Sequence, residues 1–134
     1  MAVESLDHIN IRTPDIASTC RFFVDVLQME IRDTPGINDR TRAAWICDEL
    51  GRPVVHVVAA EMNFPGEQEP KAEREGSGRV HHVALRCRGY DEMTNRLSSM
   101  GCVFRTNVVP DAGLRQLFVT DPNGILVELN FFAG

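Results

Sequence analysis

Imidazoles and carboxylates bind transition metals and move protons near neutral pH, and in this chain they recur on a period. His8 is followed by Ile9, Ile11 and Arg12; His82, 74 positions later, is followed by Val83, Leu85 and Arg86. Side chains alternate along a strand, so His8, Asn10 and Arg12 share one face, as do His82, Ala84 and Arg86, with the aliphatic residues opposite. The repeat continues downstream. Ala44-Trp45-Ile46-Cys47-Asp48 followed by Pro53-Val54-Val55-His56-Val57-Val58 is echoed by Leu117-Phe118-Val119-Thr120-Asp121 followed by Gly124-Ile125-Leu126-Val127-Glu128-Leu129. Asp48 pairs with Asp121 at an offset of 73, and His56 with Glu128 at 72. Each half thus offers two candidate ligands from its first and last strand: His8 with His56, and His82 with Glu128.

Taken singly, each of these histidines reads as a half-buried strand residue. Their symmetry points to a metal site, since three of the four histidines fall at repeat positions and Glu128 completes the set. His81, by alternation, is expected to face away from His82 as a surface or packing residue. Imidazoles with one carboxylate suit a transition ion rather than calcium or magnesium, and zinc, nickel, cobalt, manganese and ferrous iron all fit. Four protein ligands leave two water positions on an octahedral ion. They close a tetrahedral one, so catalysis calls for six-coordination or a mobile Glu128. By alternation from the ligands, Asn10, Arg12, Arg86 and Asn130 are the candidate substrate-binding residues. The two arginines can hold an anionic group through paired hydrogen bonds, or be solvated at the rim.

The elements that position these residues read in the same order twice. After the first strand, Pro14-Asp15 signals a helix whose apolar side is Ile16, Phe22, Phe23, Val26 and Leu27 and which ends near Gln28. A short strand over Met29–Thr34 follows, then a hairpin of Arg42–Cys47 and Pro53–Ala60 around Gly51. Met62–Gly78, rich in charge and breakers, is a solvated connector. The second half runs as a strand from Arg79, a helix over Asp91–Met100 stopped by Gly101, a strand over Cys102–Val108, a turn at Pro110–Gly113, and a hairpin of Leu114–Thr120 and Ile125–Phe132 closed by Asp121-Pro122-Asn123-Gly124. Each half is therefore βαβββ, and the fold class is α+β. The expected organisation is one domain over 1–134, with module 1 over about 1–61, the linker over about 62–78 and module 2 over about 79–134.

At 134 residues the chain can bury a sizeable core. A net charge of −5, with Lys71 the one lysine and no basic cluster, argues against a nucleic-acid partner. There is no apolar run of the roughly 18 residues that cross a bilayer and no export-type N-terminus, so a soluble, cytoplasmic protein without a membrane partner is expected. Cys20, Cys47, Cys87 and Cys102 are scattered among apolar neighbours without paired spacing, as reduced packing residues are.

Two βαβββ copies with a histidine on strand one and a histidine or glutamate on strand four resemble the vicinal-oxygen-chelate superfamily. That superfamily includes glyoxalase I, methylmalonyl-CoA epimerase, fosfomycin-resistance enzymes and extradiol dioxygenases. The motifs that carry the resemblance are Leu6-Asp7-His8-Ile9, His81-His82-Val83-Ala84 and Asp121-Pro122-Asn123-Gly124-Ile125-Leu126-Val127-Glu128-Leu129. The resemblance implies a cupped, barrel-like eight-stranded mixed sheet and one divalent metal ion held by His8, His56, His82 and Glu128. It also implies a small-molecule substrate and a homodimer. Arg12 matches an arginine that binds glutathione in bacterial glyoxalase I, whereas Ala60 and His56 stand where that enzyme has Asn and Glu. Fosfomycin-resistance enzymes lack a ligand at the position of His56, and the epimerases have Gln there.

The implied activity is that of a glyoxalase-like lyase or isomerase. It acts on vicinal oxygens through an enediolate-like intermediate, with the metal as Lewis acid and Glu128 as ligand and proton shuttle. The alternatives are an extradiol-type ring-cleaving dioxygenase and a non-catalytic small-molecule binder. Phe118 stands where the extradiol enzymes have a tyrosine, and His56 would fill a coordination position that their two-histidine, one-carboxylate set leaves open.

Overall fold

The computed structural model describes residues 1–62 and 76–133. The chain divides between residues 72 and 73 into two compact units. The first unit contains β1 (Ile9–Thr13), α1 (Ile16–Arg21) running on into a π-helical turn (Phe22–Val26), β2 (Glu30–Asp33), β3 (Ala43–Cys47) and β4 (Pro53–Ala59). The second contains β5 (Val83–Cys87), α2 (Tyr90–Ser99), β6 (Phe104–Val109), a 3-10 turn (Pro110–Ala112), β7 (Leu114–Thr120) and β8 (Leu126–Phe132). The expected βαβββ order is thus present twice. Of the connector Met62–Gly78, positions 63–75 lie outside the described residues.

Each unit forms one four-stranded mixed sheet, in the order β1-β4-β3-β2 and β5-β8-β7-β6. First and last strands pair in parallel at the same register, Asn10 beside His56 and Ala84 beside Glu128. The other pairs are antiparallel, placing Trp45 across from His56 and Phe118 across from Glu128. A parallel pair needs a long crossover, and here the helix and two intervening strands provide it.

Asp15 caps α1 by accepting from the Ser18 amide at 3.0 Å. The helix packs on β3 and β4 through Ile16, Thr19 and Cys20, and its π turn adds Phe22, Phe23 and Val26. Gln28, at φ 56°, turns the chain out of the helical path, so the element ends where its apolar pattern does. In the second unit Met93 and Leu97 are the buried residues of α2. Fully burying Leu97 alone contributes about 1.5–3 kcal/mol. Gly101, at φ 69°, ends the helix, and the Cys102 amide closes back on the Leu97 carbonyl at 2.9 Å. None of the four cysteines is bonded to another; Cys20 and Cys47 are buried and Cys87 and Cys102 half-buried. Burial pushes the Cys87 thiol up to about 11, so it stays protonated and unreactive at neutral pH. Among the described residues no helix is long and apolar enough to cross a membrane.

The repeat extends to individual hydrogen bonds. Asp48 accepts from the amides of Leu50 and Arg52 at 3.0 and 2.9 Å, and Asp121 from those of Asn123 and Ile125 at 2.9 and 2.8 Å. Gly51 and Gly124 complete the two turns at φ 79° and 83°, where a side chain would be strained. The two aspartates differ in burial, because Asp121 is only 4% exposed. Replacing Asp121 by Ala strands the buried Ile125 amide and the part-buried Asn123 amide and should cost about 1–3 kcal/mol in urea unfolding, against a smaller loss for Asp48→Ala, where water replaces the carboxylate.

Candidate functional site

In the second unit β5 and β8 place Ala84 and Arg86 on the same face as Glu128, Asn130 and Phe132. His82 Nε2 lies 3.7 Å from Glu128 Oε1. Two donors each about 2.1 Å from a shared ion can be no more than about 4.2 Å apart, so this pair fits one transition ion. The Glu128 side chain is 13% exposed and that of His82 38%, which leaves the pair accessible. Glu128 Oε2 accepts from Asn130 Nδ2 at 2.9 Å, so Oε1 is the oxygen turned to His82.

His82 immediately precedes β5, and His8 immediately precedes β1. Strand alternation therefore does not govern their neighbours. His81 is exposed, as expected of a surface residue, yet its ring meets His82, with the two Nδ1 atoms 2.9 Å apart and the rings edge to face at 5.2 Å. The equivalent residue in the first unit behaves alike, since Asp7 Oδ2 accepts from His8 Nδ1 at 2.5 Å. The carboxylate on His8 Nδ1 leaves the lone pair of His8 Nε2 free, and His82 Nε2 is free likewise in the tautomer in which His82 Nδ1 donates to His81. Asp7 and His81 were missed in the sequence because strand alternation was extended one residue too far in each half.

His56 is differently placed. The residue is 8% exposed, and its ring stacks on Trp45 at 4.0 Å with 9° between planes and has Nε2 3.2 Å from Thr34 Oγ1. The His8 ring lies edge-on to Trp45 at 4.9 Å and 6.4 Å from His56. Nδ1 is therefore the His56 nitrogen left to ligate. The sequence held a signal for Trp45, because the repeat aligns it with Phe118, each the aromatic partner of its unit's last-strand donor. Among the described residues no group of three or more His, Cys, Asp or Glu side chains stands ready to hold an ion; His82 and Glu128 are close in the second unit, while the His8 and His56 ring centres in the first are 6.4 Å apart.

The four expected substrate-binding residues have divergent surroundings. Arg12 turns Nη2 to the carbonyls of Ala59, Ala60 and Met62, fastening the chain that leaves β4. Asn130 is held between Gln116 and Glu128. Asn10 is exposed beside His56. Arg86 is exposed, with its guanidinium 4.2 Å over the Phe132 ring.

Two βαβββ units, each built on one four-stranded mixed sheet with a parallel pair of first and last strands, define the fold class, and comparison with known proteins gives the family. The family model described as Glyoxalase/Bleomycin resistance protein/Dioxygenase superfamily matches residues 5–129, and the chain belongs to that superfamily. A curated Bacillus subtilis (strain 168) protein, "Putative ring-cleaving dioxygenase MhqA", is 34% identical over 75 residues, which are 54% of this chain and 24% of that protein. The matched stretch thus spans about a quarter of the relative's length. A glyoxalase/dioxygenase from Nostoc punctiforme shares the fold with a TM-score of 0.74 at 14% identity, over 97% of this chain and 92% of that one. The lactoylglutathione lyase of Agrobacterium tumefaciens does so with a TM-score of 0.64 at 16% identity, over 92% and 91%.

Burial holds the His56 imidazole below its usual range, and the neighbouring His8 charge adds to the effect. The unfolded chain takes up this proton first, so the stability His56 contributes is full above about pH 6.5 and is lost as the pH falls through the lower folded value. Thermal melts of metal-free protein should therefore fall in midpoint below pH 6.5, and His56→Phe should flatten that slope.

Proposed function

We propose that the protein is a metal-dependent enzyme of glyoxalase-like lyase or isomerase type, acting on a small substrate with vicinal oxygens. His8 and His82 through Nε2, His56 through Nδ1, and one oxygen of Glu128 are the ligands of this reading, with zinc, nickel, cobalt, manganese or ferrous iron as the ion. The observation that carries it is the His82–Glu128 pair, an imidazole nitrogen and a carboxylate oxygen 3.7 Å apart. When bound, a divalent ion supplies Lewis acidity to negative charge developing on substrate oxygens.

The chain's own residues provide the remainder. Glu128 Oε1 is the carboxylate oxygen available to an ion or to a substrate proton, because Oε2 is engaged by Asn130. Arg86 orients an anionic substituent from the rim, and Asn10 offers a neutral hydrogen-bonding amide. Arg12 contributes by fixing the end of β4 rather than by touching substrate. Phe118, directly across from Glu128, provides an apolar wall without a proton to donate, which favours proton transfer over oxygen chemistry. A homodimer belongs to the same reading, since β6 is an edge strand of its sheet and carries Val108 exposed.

A second reading, ring cleavage, is favoured by the packing of His56. With that imidazole stacked on Trp45 and tied to Thr34, the remaining donors are two histidines and one carboxylate, the set typical of ferrous oxygenases. The partial likeness to a protein named for ring cleavage points the same way.

Titration calorimetry on metal-free protein separates the two. In the lyase or isomerase reading His8→Ala, His56→Ala, His82→Ala and Glu128→Ala each weaken metal binding by more than the about 100-fold of an outer residue. Solvent deuterium exchange into a 2-oxo or 2-hydroxy carbonyl compound then depends on metal, and catechols consume no oxygen. Wild-type affinity in His56→Ala together with oxygen uptake and a yellow product from a catechol would establish the second reading. Wild type that binds no divalent ion would remove both. Light scattering at micromolar concentration should give twice the chain mass.

A further inference from the structure

Outside the ligand pairs, the second unit carries a line of three side-chain amides across its sheet. Asn107 Nδ2 on β6 donates to Gln116 Oε1 on β7 at 2.8 Å, Gln116 Nε2 donates to Asn130 Oδ1 on β8 at 3.0 Å, and Asn130 Nδ2 donates to Glu128 Oε2 at 2.9 Å. The cross-strand registers place these residues on one face, Asn107 opposite Gln116 and Gln116 opposite Asn130. The direction of the line follows from its end. An ionised carboxylate only accepts, so Asn130 must turn its NH2 to Glu128 and its oxygen to Gln116; Gln116 must then donate to Asn130 and accept from Asn107. Every donor points toward Glu128.

The first unit supplies an internal control. Ala43 and Val58 face each other where Gln116 and Asn130 do, so the sheet does not need amides at these positions. The first unit's last-strand donor is His56, which Trp45 and Thr34 hold in place. The amide line occurs in the unit whose donor is a carboxylate.

We propose that Gln116, backed by Asn107, is a positioning residue that acts through Asn130 to hold Glu128 as a one-oxygen ligand, with Oε2 engaged and Oε1 presented beside His82. Asn130 is in consequence part of this support and does not bind substrate. The inference rests on the metal reading above for its purpose, while the line of amides itself is testable without metal.

The discriminating variant is Gln116→Glu, equal in size but unable to donate. Asn130 then faces a carboxylate on either side with one amide to share between them, and Glu128 loses its fixed partner. Added negative charge by itself would tighten cation binding, so the expected weakening of manganese or zinc affinity by about 10- to 100-fold opposes the simple electrostatic trend. Gln116→Leu should weaken binding less, since Asn130 can still donate to Glu128, and circular dichroism should show both variants folded. Unchanged or tighter affinity in folded Gln116→Glu overturns the proposal. In metal-free protein, NMR should show the Asn130 side-chain NH2 protected from exchange, with protection lost in Glu128→Ala and reduced in Gln116→Leu. Exchange at the rate of an exposed amide in the wild type overturns it as well. Wild type that binds neither ion while Asn130 is protected removes the metal reading and the ligand-holding role together, and leaves the amide line as structure.

Discussion

The parallel pairing of first with last strand in each unit is the constraint on which the rest depends. It sets Asn10 beside His56 and Ala84 beside Glu128, residues more than forty positions apart in the chain. A parallel pair cannot be closed by a tight turn, so a crossover must carry the chain from the end of one strand back to the start of the other. The helix and the two antiparallel strands between them are that crossover, and they bury its apolar side on one sheet face. The opposite face carries the candidate site residues, beside Ala43, Trp45 and Val58 in the first unit and beside a line of amides in the second. In the second unit this is where His82 meets Glu128 and where the amides line up behind it.

This pairing was legible because it leaves two independent traces, the repeated order of apolar alternation and the repeated Asp-x-x-Gly turn before the last strand. Asp48 and Asp121 do the same work in the two turns, bond for bond, so a local chemical requirement preserved the register of the repeat where most side chains have diverged. The faces of β4 and β8 followed from that register. The first-strand boundaries did not, because whether His8 and His82 lie inside the ladder depends on where the parallel partner ends. One residue of difference there turned His81 from an outward-facing neighbour into a partner of His82.

The environments of the expected ligands were less legible than their positions, and the reason is physical. Alternation assigns a face and says nothing of what else shares it. Arg12 lies on the expected face, yet the backbone carbonyls beyond β4 lie within its reach and take its Nη2. His56 is likewise on the expected face, with an indole from the next strand stacked along it. Both outcomes depend on neighbours from other strands, which the pattern of a single strand does not contain.

The two units thus support their last-strand donors by different means. An imidazole has a flat apolar face and two nitrogens, so stacking on Trp45 and one bond to Thr34 restrain it, at the cost of burial that disfavours its charged form. A carboxylate has no face to stack and must be held by donors. The donor that holds Glu128 is the Asn130 amide, and an amide must be oriented in turn. Holding Glu128 with an arginine would have been simpler, but a cation at that distance competes with a divalent ion for the same oxygens. Neutral donors restrain a carboxylate while leaving its charge uncompensated, and Asn107, Gln116 and Asn130 bring only neutral donors to this line.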